Sequence, residues 1–278
     1  QQSIEFLVTP SKNQSEGTLE VIAVSNGKTY KKELIEINYN HIPKQSVLSN
    51  SEAKLVRLNI KKVGSYIGYI KGAGDAVPEN LQQIGYTVEE INPSEITDKN
   101  LLKFDAIVLG IRAYNVVKEL KFKQKFLLEY VHKGGNMIVQ YNTSRNVDVA
   151  PPFPLTLSRD RVTNELADVR VLAKDNALLN FPNTITQNDF KGWVQERGLY
   201  FPNTWSKEYT PILSMNDQGE TAKNGSLLIA KYGQGNYIYT GLSFFRELPA
   251  GVSGAYKLFA NMLSVGKNKI AIKQQIKN

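Results

Sequence analysis

Three apolar segments of the chain each run into a short polar loop, and this repeated form constrains the fold more than any other feature. The first is Ile67–Asp75 (IGYIKGAGD), an apolar run that enters a glycine-rich turn and ends in a carboxylate. The other two are Asp105–Asn115 (DAIVLGIRAYN) and Asn136–Asn146 (NMIVQYNTSRN). In a parallel sheet the carboxyl ends of the strands meet at one edge, where open α/β folds bind their ligands. The sequence therefore predicts three strand ends that converge on one crevice.

The polar residues of these loops are the first candidates for a ligand site. They are Asp75, Arg112, Tyr114, Asn115, Tyr141, Asn142 and Arg145. Arg246 and Glu247, in TGLSFFRELPAG after the last predicted strand, supply another wall of the crevice. Asp75 has a second interpretation, in which its carboxylate serves only as the N-cap of the following helix. We carry all nine residues as ligand-binding candidates.

From Tyr66 onward the sequence alternates between strand and helix patterns. Apolar runs predict strands at Tyr66–Ile70, Thr87–Ile91, Ala106–Gly110 and Met137–Tyr141, and helical spacing predicts helices at Val77–Ile84, Lys118–His132 and Val252–Val265. Such alternation is typical of a doubly wound parallel sheet, in which the first, third and fourth of these strands are parallel neighbours. Residues 151–214 are rich in Pro, Asn and Thr and are expected to be irregular, and a hairpin follows over residues 226–242.

The first sixty residues have the period of two that is typical of β-strands. The predicted strands are Ile4–Val8, Thr18–Val24, Thr29–Asn38 and Lys54–Ile60, with a hairpin turn at Asn26-Gly27. Four short strands are few for an independent sandwich, so this unit is either a small β-sandwich-like unit or the remnant of a larger one. The expected domains are thus residues 1–60, an α/β domain over 61–266 and a polar tail over 267–278. Because the chain begins with Gln1 rather than methionine, we expect it to be a piece of a longer protein.

Composition excludes several classes of site. The chain has 278 residues, two histidines and no cysteine, so a disulfide, a thiolate metal site and a cysteine nucleophile are excluded and a histidine metal site is not expected. No apolar run reaches the roughly 20 residues that cross a bilayer. The net charge of +8 is spread along the chain without a basic stripe, so nucleic acid is not an expected partner. The turn at Gly72–Asp75 has Val77 at the last glycine position of a dinucleotide fingerprint, so no cofactor is expected.

Two further clusters have open interpretations. The segment SRDRVTNE (Ser158–Glu165) carries charges that are expected to pair among themselves, with anion binding as the alternative. The segment GWVQERGLYFPNTW (Gly192–Trp205) offers aromatic faces that suit either sugar stacking or core packing.

Several of these segments together carry a family resemblance. They are IGYIKGAGDAVPENLQQIGY, FDAIVLGIRAYN, IVQYNTSRN, LSRDRVTNE, FPNTITQNDFKGWVQERGLYFP and YTGLSFFRELPAG. Over residues 41–266 the chain resembles the C-terminal region of large PIG-L/LmbE-type deacetylase proteins of Bacteroidetes-like bacteria. That resemblance implies a class I glutamine amidotransferase-like or ThuA-like domain of flavodoxin-like architecture, preceded by a β-sandwich linker, and a periplasmic or otherwise extracytoplasmic location.

The chain departs from the catalytic patterns of both families. Class I amidotransferases place a cysteine at a sharp turn after a central strand, whereas the comparable turn here holds Tyr141-Asn142. The His-Pro-Asp-Asp and His-x-x-His zinc motifs of the deacetylase are absent as well. We therefore assign no catalytic residue and expect an accessory domain of a zinc-dependent N-deacetylase that binds glycan or docks against other domains of the parent protein.

Two alternatives remain open at this point. One is a ThuA-like carbohydrate-active enzyme that uses Asp75, Arg112, Tyr141 and Glu247. The other is a purely structural domain without a ligand. A carboxylate with a strongly perturbed pKa in a closed pocket would favour the enzyme.

Overall fold

The computed structural model of the protein describes residues 3–9, 11–145 and 147–267. It separates into two compact units, Gln1–Asn59 and Ile60–Asn278. Apart from Lys267, the predicted polar tail lies outside the described residues.

The first unit consists of antiparallel strand pairs. Its strands are β1 Ser15–Glu20, β2 Ala23–Ser25, β3 Lys28–Tyr30, β4 Lys32–Ile37, β5 Gln45–Asn50 and β6 Glu52–Arg57. β1 pairs with β6, β2 with β3 and β4 with β5. Asn26 and Gly27 connect β2 to β3 with φ values of 49° and 73°, which confirms the predicted hairpin turn.

In this unit, the strand boundaries that the period of two predicts differ from the observed ones. The predicted strand at Ile4–Val8 is wrong, since residues 3–9 form no strand, and β5 was missed because its two apolar residues, Val47 and Leu48, are adjacent rather than alternating. The predicted strands Thr18–Val24 and Thr29–Asn38 are each divided in two, at residues 21–22 and at Lys31. Alternation marks extended chain, but a strand also needs a hydrogen-bonding partner.

The second unit is an α/β fold around a central sheet. Its first part contains β7 Tyr66–Ile70, α1 Val77–Gln83, β8 Thr87–Glu90, β9 Ala106–Leu109, α2 Ala113–Val116, α3 Leu120–His132 and β10 Asn136–Gln140. Its second part contains β11 Leu155–Val162, β12 Arg170–Val171, α4 Ala177–Asn180, β13 Gly198–Trp205, β14 Tyr209–Pro211, β15 Leu213–Ser214, β16 Leu227–Tyr232, β17 Gly235–Thr240, α5 Phe244–Glu247 and α6 Ser253–Ser264. Short 3₁₀ turns lie at Pro93–Glu95, Gln187–Phe190 and Val265–Lys267.

The central sheet has seven strands in the order β14-β16-β17-β10-β9-β7-β8. The five strands from β17 to β8 are parallel, and β16 and β14 add an antiparallel edge. The prediction that β7, β9 and β10 are parallel neighbours is confirmed. The parallel part follows the flavodoxin-like order 2-1-3-4-5, whose order reverses between β7 and β9.

Helices cover the central sheet, which explains why its strands are apolar without alternation. Ile107, Leu109, Met137 and Val139 pack in one cluster with the apolar side of α3, and the residues between them are buried as well. Strands buried on both faces read as continuous apolar runs. This is why β7, β9 and β10 are visible in the sequence.

The expectation of an irregular region over residues 151–214 is wrong for residues 155–162 and 198–205. β11 and β13 form a long antiparallel pair in this region. The pairing shifts register at three places, between Thr156 and Leu157, Leu157 and Asp160, and Asp160 and Val162. Each shift breaks the period of two, and Pro202 within β13 argues against a strand, so neither strand has a recognisable pattern.

Candidate functional site

The loops that follow β7, β9 and β10 are joined to each other at the carboxyl edge of the sheet. The Ala73 N–H donates to the Ile111 carbonyl at 2.8 Å, and the Arg112 N–H donates to the Tyr141 carbonyl at 2.8 Å. A Cβ on Gly72 would lie 2.0 Å from the Ile111 carbonyl oxygen, so only glycine permits this approach. The predicted convergence of three strand ends is therefore present, at the point where the strand order reverses.

Asp75 uses its carboxylate to hold these loops together. Oδ1 accepts hydrogen bonds from the Tyr69 hydroxyl at 2.5 Å and from the Val77 N–H at 3.0 Å, and Oδ2 accepts from the Ile111 N–H at 3.1 Å. Burial, together with the Asp75 charge, raises the pKa of Tyr69 above its ordinary value, so Tyr69 remains a donor. Asp75 thus lies between the loops after β7 and β9, and its oxygens accept three hydrogen bonds from the protein itself.

Asn115 and Asn142 fix the loop after β10. The Asn115 side chain donates to the carbonyls of Thr143 and Arg145 and accepts from the Thr143 N–H. Asn142 is fully buried; its Oδ1 accepts from the Tyr114 N–H at 2.9 Å and its Nδ2 donates to the Gln140 carbonyl. Tyr114 is also buried, with its hydroxyl donating to Gln124 at 3.1 Å. The side chains of these three predicted site residues are therefore hydrogen-bonded within the protein.

Arg112 presents an exposed guanidinium at the same edge. Its backbone adopts a left-handed conformation, with φ 57° and ψ 21°, which is uncommon for a residue with a side chain. Its side chain makes no hydrogen bond or ion pair with residues 3–9, 11–145 or 147–267. Strained residues of this kind concentrate at binding and catalytic sites.

Tyr141 lies in an aromatic cluster with Tyr200 and Phe245. The Tyr141 and Tyr200 rings are stacked, with centroids 5.9 Å apart and planes 12° apart, and Phe245 lies 5.4 Å from Tyr141. Tyr200 is half-buried and, like Arg112, has a positive φ of 53°. Burial raises the pKa of Tyr141, although the charges of Arg112 and Arg246 oppose that shift. The cluster offers the partly open face of Tyr200 beside cationic groups.

Arg246 and Glu247 are adjacent in sequence but differ in their surroundings. The half-buried Arg246 forms an ion pair with Glu196 at 3.1 Å and lies over the Phe245 ring at 4.8 Å. Glu247 is fully buried; its Oε2 accepts from the Val194 N–H at 3.0 Å, and its Oε1 has no hydrogen-bond partner among the described residues. Burial raises the pKa of Glu247 to about 7, against the opposing effects of the Val194 N–H, Arg197 and Arg246.

Arg145 lines a cavity of about 380 Å³ together with Arg159 and Arg161, which are not among the nine predicted ligand-binding residues. Its walls are Thr143, Ser144, Arg145, Arg159, Arg161 and Tyr200, and we refer to it below as the arginine pocket. The expected pairing of charges within 158–165 is not seen, because no ion pair joins these residues in the part of the chain that is described. The signal in the sequence is the alternative of anion binding by the segment 158–165. The spacing of Arg159 and Arg161 does not define a shared face, because β11 shifts register between Leu157 and Val162.

A second cavity of about 250 Å³ adjoins the arginine pocket through the shared residue Ser144. Its other lining residues are Tyr114, Val147, Val149, Pro151, Leu155, Thr156, Leu157, Tyr237 and Tyr239. Glu247 lines neither cavity. Within the described ranges, no group of three or more His, Asp or Glu side chains is arranged to hold a metal ion, and no helix is long and apolar enough to cross a membrane.

Comparisons with known proteins give similarity to solved structures only. No family model and no curated protein sequence matches the chain. A protein of Thermoplasma acidophilum assigned as a GMP synthase subunit has 12% identity and a TM-score of 0.49, over 77% of this chain and 100% of its own. A glutamine amidotransferase from Thermotoga maritima has 10% identity and a TM-score of 0.43, over 74% and 99%. A β-galactosidase from Rahnella has 15% identity and a TM-score of 0.42, over 71% of this chain but only 31% of its own.

Proposed function

We propose that this chain is a non-catalytic, amidotransferase-like accessory domain of a PIG-L/LmbE-type zinc-dependent N-deacetylase, and that it binds glycan at the carboxyl edge of its sheet. One observation carries this proposal. The carboxylate and amide groups of the crevice, in Asp75, Asn115 and Asn142, make hydrogen bonds within the protein, whereas Arg112 and Arg145 extend into solvent. The crevice thus has groups that recognise a ligand without a group placed to react with it.

The mixture of aromatic and arginine side chains suits a sugar. A tyrosine ring stacks against the apolar face of a pyranose, and a guanidinium fork donates to hydroxyl or carboxyl oxygens. Tyr200 supplies the ring face, and Arg112 from the loop after β9 and Arg145 from the loop after β10 supply the forks. The resemblance to deacetylase proteins that act on N-acetylated sugars supports the same ligand class and an extracytoplasmic location.

The chain lacks the nucleophile that glutamine amidotransferases use. Amidotransferase turnover needs a thiolate beside a base, and the chain has no cysteine. Tyr141, at the corresponding turn, is buried beneath Tyr200 and Phe245 with a raised pKa, so it is a neutral phenol rather than a nucleophile.

Glu247 favours a second candidate function, a ThuA-like carbohydrate-active enzyme. A carboxyl group with a pKa of about 7 can exchange a proton at physiological pH, as a general acid or base does. However, a catalytic acid must come within hydrogen-bonding distance of its substrate, and Glu247 is fully enclosed beneath Val194. We therefore favour binding over catalysis.

Calorimetric titration with N-acetylglucosamine oligosaccharides tests the proposal. Arg112→Ala is expected to weaken binding by about 1–3 kcal/mol, which is the range for a charged hydrogen bond left unmade. Lys174→Ala, which removes an exposed cation from the loop before α4, is the matched control and is expected to change nothing. Neither acetate from the sugar nor ammonia from glutamine should be released. Turnover that survives repurification and is lost in Glu247→Gln would favour the enzyme instead.

A further inference from the structure

The arginine pocket concentrates positive charge beyond what the proposed sugar binding requires. Three arginines line it from two separate elements, Arg145 from the loop after β10 and Arg159 and Arg161 from β11. Asp160, which lies between the last two in sequence, is not part of its lining. Like charges brought together repel each other, so such a cluster costs free energy unless an anion neutralises it.

These arginines have no anionic partner within the described part of the protein. For the residues that the structure describes, no carboxylate lies within ion-pairing distance of Arg145, Arg159 or Arg161, and none of their side chains donates a hydrogen bond. Elsewhere in the same unit, Arg246 pairs with Glu196, Lys257 with Asp189 and Lys103 with Glu89. The three guanidinium groups therefore keep their donors available to a ligand.

The walls of the pocket are held in place before a ligand arrives. The Asn115 side chain fixes the backbone of residues 143 and 145 through three hydrogen bonds. β11 is held against β13, where the Ser158 hydroxyl donates to the Phe201 carbonyl at 2.7 Å. Tyr200 is held by stacking on Tyr141 in its left-handed backbone conformation. Because the backbone of these walls and the Tyr200 ring are already ordered, they lose little entropy on binding.

The remaining lining residues suit an oxyanion. The Thr143 and Ser144 hydroxyls can donate to its oxygen atoms, and arginine forks bind the planar or tetrahedral oxygens of carboxylate, sulfate and phosphate in pairs. The volume of about 380 Å³ is within the range of small-ligand sites and is close in scale to one monosaccharide with a charged substituent. The pocket is a single cavity rather than an extended basic stripe, which favours a small acid over a nucleic-acid strand.

We propose that the arginine pocket binds the oxyanion of an acidic sugar, with Arg145, Arg159 and Arg161 around the anionic group and the ring of Tyr200 beside the pyranose. That a sugar carries this anion is an inference that rests on the proposed glycan-binding function. The oxyanion site itself does not, because it is defined by the three arginines and the two hydroxyls.

Titration of the whole chain with five probes tests this inference. The probes are inorganic sulfate, inorganic phosphate, glucuronic acid, N-acetylglucosamine 6-sulfate and neutral N-acetylglucosamine. We expect the four anions to bind and to compete with one another, with the two acidic sugars bound more tightly than the neutral one. Added sodium chloride should weaken the acidic probes and leave the neutral sugar unaffected, because exposed charges are screened by salt.

Variants of two exposed arginines identify the site. Arg159→Gln and Arg161→Gln should each weaken the acidic probes about tenfold or more, the effect of one lost charged hydrogen bond, and leave neutral N-acetylglucosamine unchanged. Arg159→Lys should recover part of the affinity, because it restores the charge but not the fork. Lys191→Gln removes the same charge from an exposed position outside the pocket lining and should have no effect. Thermal melting of each variant reports whether the fold is retained.

The outcomes separate this inference from the proposed function. Equal binding of acidic and neutral sugars, unchanged in both glutamine variants, would overturn the oxyanion site while leaving glycan binding intact. Binding of sulfate and phosphate that Arg159→Gln abolishes, with no sugar bound, would support the oxyanion site and contradict glycan binding. Tighter binding of a short single-stranded oligonucleotide than of any acidic sugar would assign the arginines to nucleic acid and overturn the inference.

Discussion

At the scale of single residues, the surroundings of the buried Arg197 and Glu247 depend on tertiary contacts that the sequence does not reveal. Arg197 is buried over the Trp193 ring and donates to the carbonyls of Ala167 and Phe190. Burial lowers the pKa of Arg197, and the charge of Glu247 opposes this. The sequence predicts Glu247 as a crevice residue, but its enclosure beneath Val194 follows from where α5 packs. That placement gives Glu247 its unusual proton affinity.

The pKa of Glu247 predicts a specific pH dependence of stability. The ordinary pKa of glutamate is about 4.3, so between that value and the folded value of about 7 the folded protein keeps a proton that the unfolded chain has lost. The free energy of unfolding should therefore fall by roughly 4 kcal/mol as pH rises through this window and stay level above it. Glu247→Gln, which is neutral throughout, should lack this fall.

Urea denaturation of both proteins at several values between about pH 5 and pH 8 measures this difference. The stability of the variant relative to the native chain should increase with pH, because only the native chain loses stability through Glu247. Both histidines are present in both proteins, so their titration cancels in the comparison. Parallel pH profiles would mean that Glu247 has an ordinary pKa.

At the scale of secondary-structure elements, the sequence revealed β7, β9 and β10 in the middle of the sheet and missed the half-exposed strands β11 and β13. β7, β9 and β10 are short apolar runs bounded by glycine or polar loops, and their parallel order followed from the pattern. β11 and β13 were missed because their register shifts interrupt alternation. The arginine pocket was missed for the same reason, since it requires Arg159 and Arg161 to lie in a strand facing the loop after β10.

The loop after β10 should lose its order when Asn115 is replaced. Asn115→Ala removes three hydrogen bonds to residues 143 and 145 without removing any side chain that lines the arginine pocket. We expect about a tenfold loss of affinity for the acidic sugars and faster amide hydrogen exchange in residues 143–145.

Asn180→Ala is the control for this change. The Asn180 side chain, at the end of α4, also donates to two backbone carbonyls, those of Lys174 and Asn176, and none of these residues lines either cavity. Its replacement should leave both the affinity and the exchange of residues 143–145 unchanged. Equal affinity losses in the two variants would show that general destabilisation, rather than loop order, controls binding.

At the scale of the whole molecule, the two units differ in the solvent exposure of their apolar side chains. The second unit buries its apolar residues around the sheet, whereas in the first unit the β4–β5 ribbon leaves them exposed on both faces. Leu34 and Leu48 are opposite each other at 58% and 65% exposure, and Ile35 and Val47 at 45% and 44%. Apolar side chains exposed in this way are typical of surfaces that pack against another protein segment. This fits the proposed role as an accessory part of a larger protein.

Together, the proposed function and the oxyanion site mean that the carboxyl edge of the sheet binds an acidic sugar and does not transform it. Saturation-transfer NMR of N-acetylglucosamine 6-sulfate with the whole chain tests both halves in one sample. We expect transfer from the protein to the ring protons of the sugar, loss of that transfer in Arg159→Gln, and a sugar spectrum that stays unchanged over a day at neutral pH. Absence of transfer, or the appearance of a free acetate signal that Arg159→Gln or Glu247→Gln removes, would contradict it.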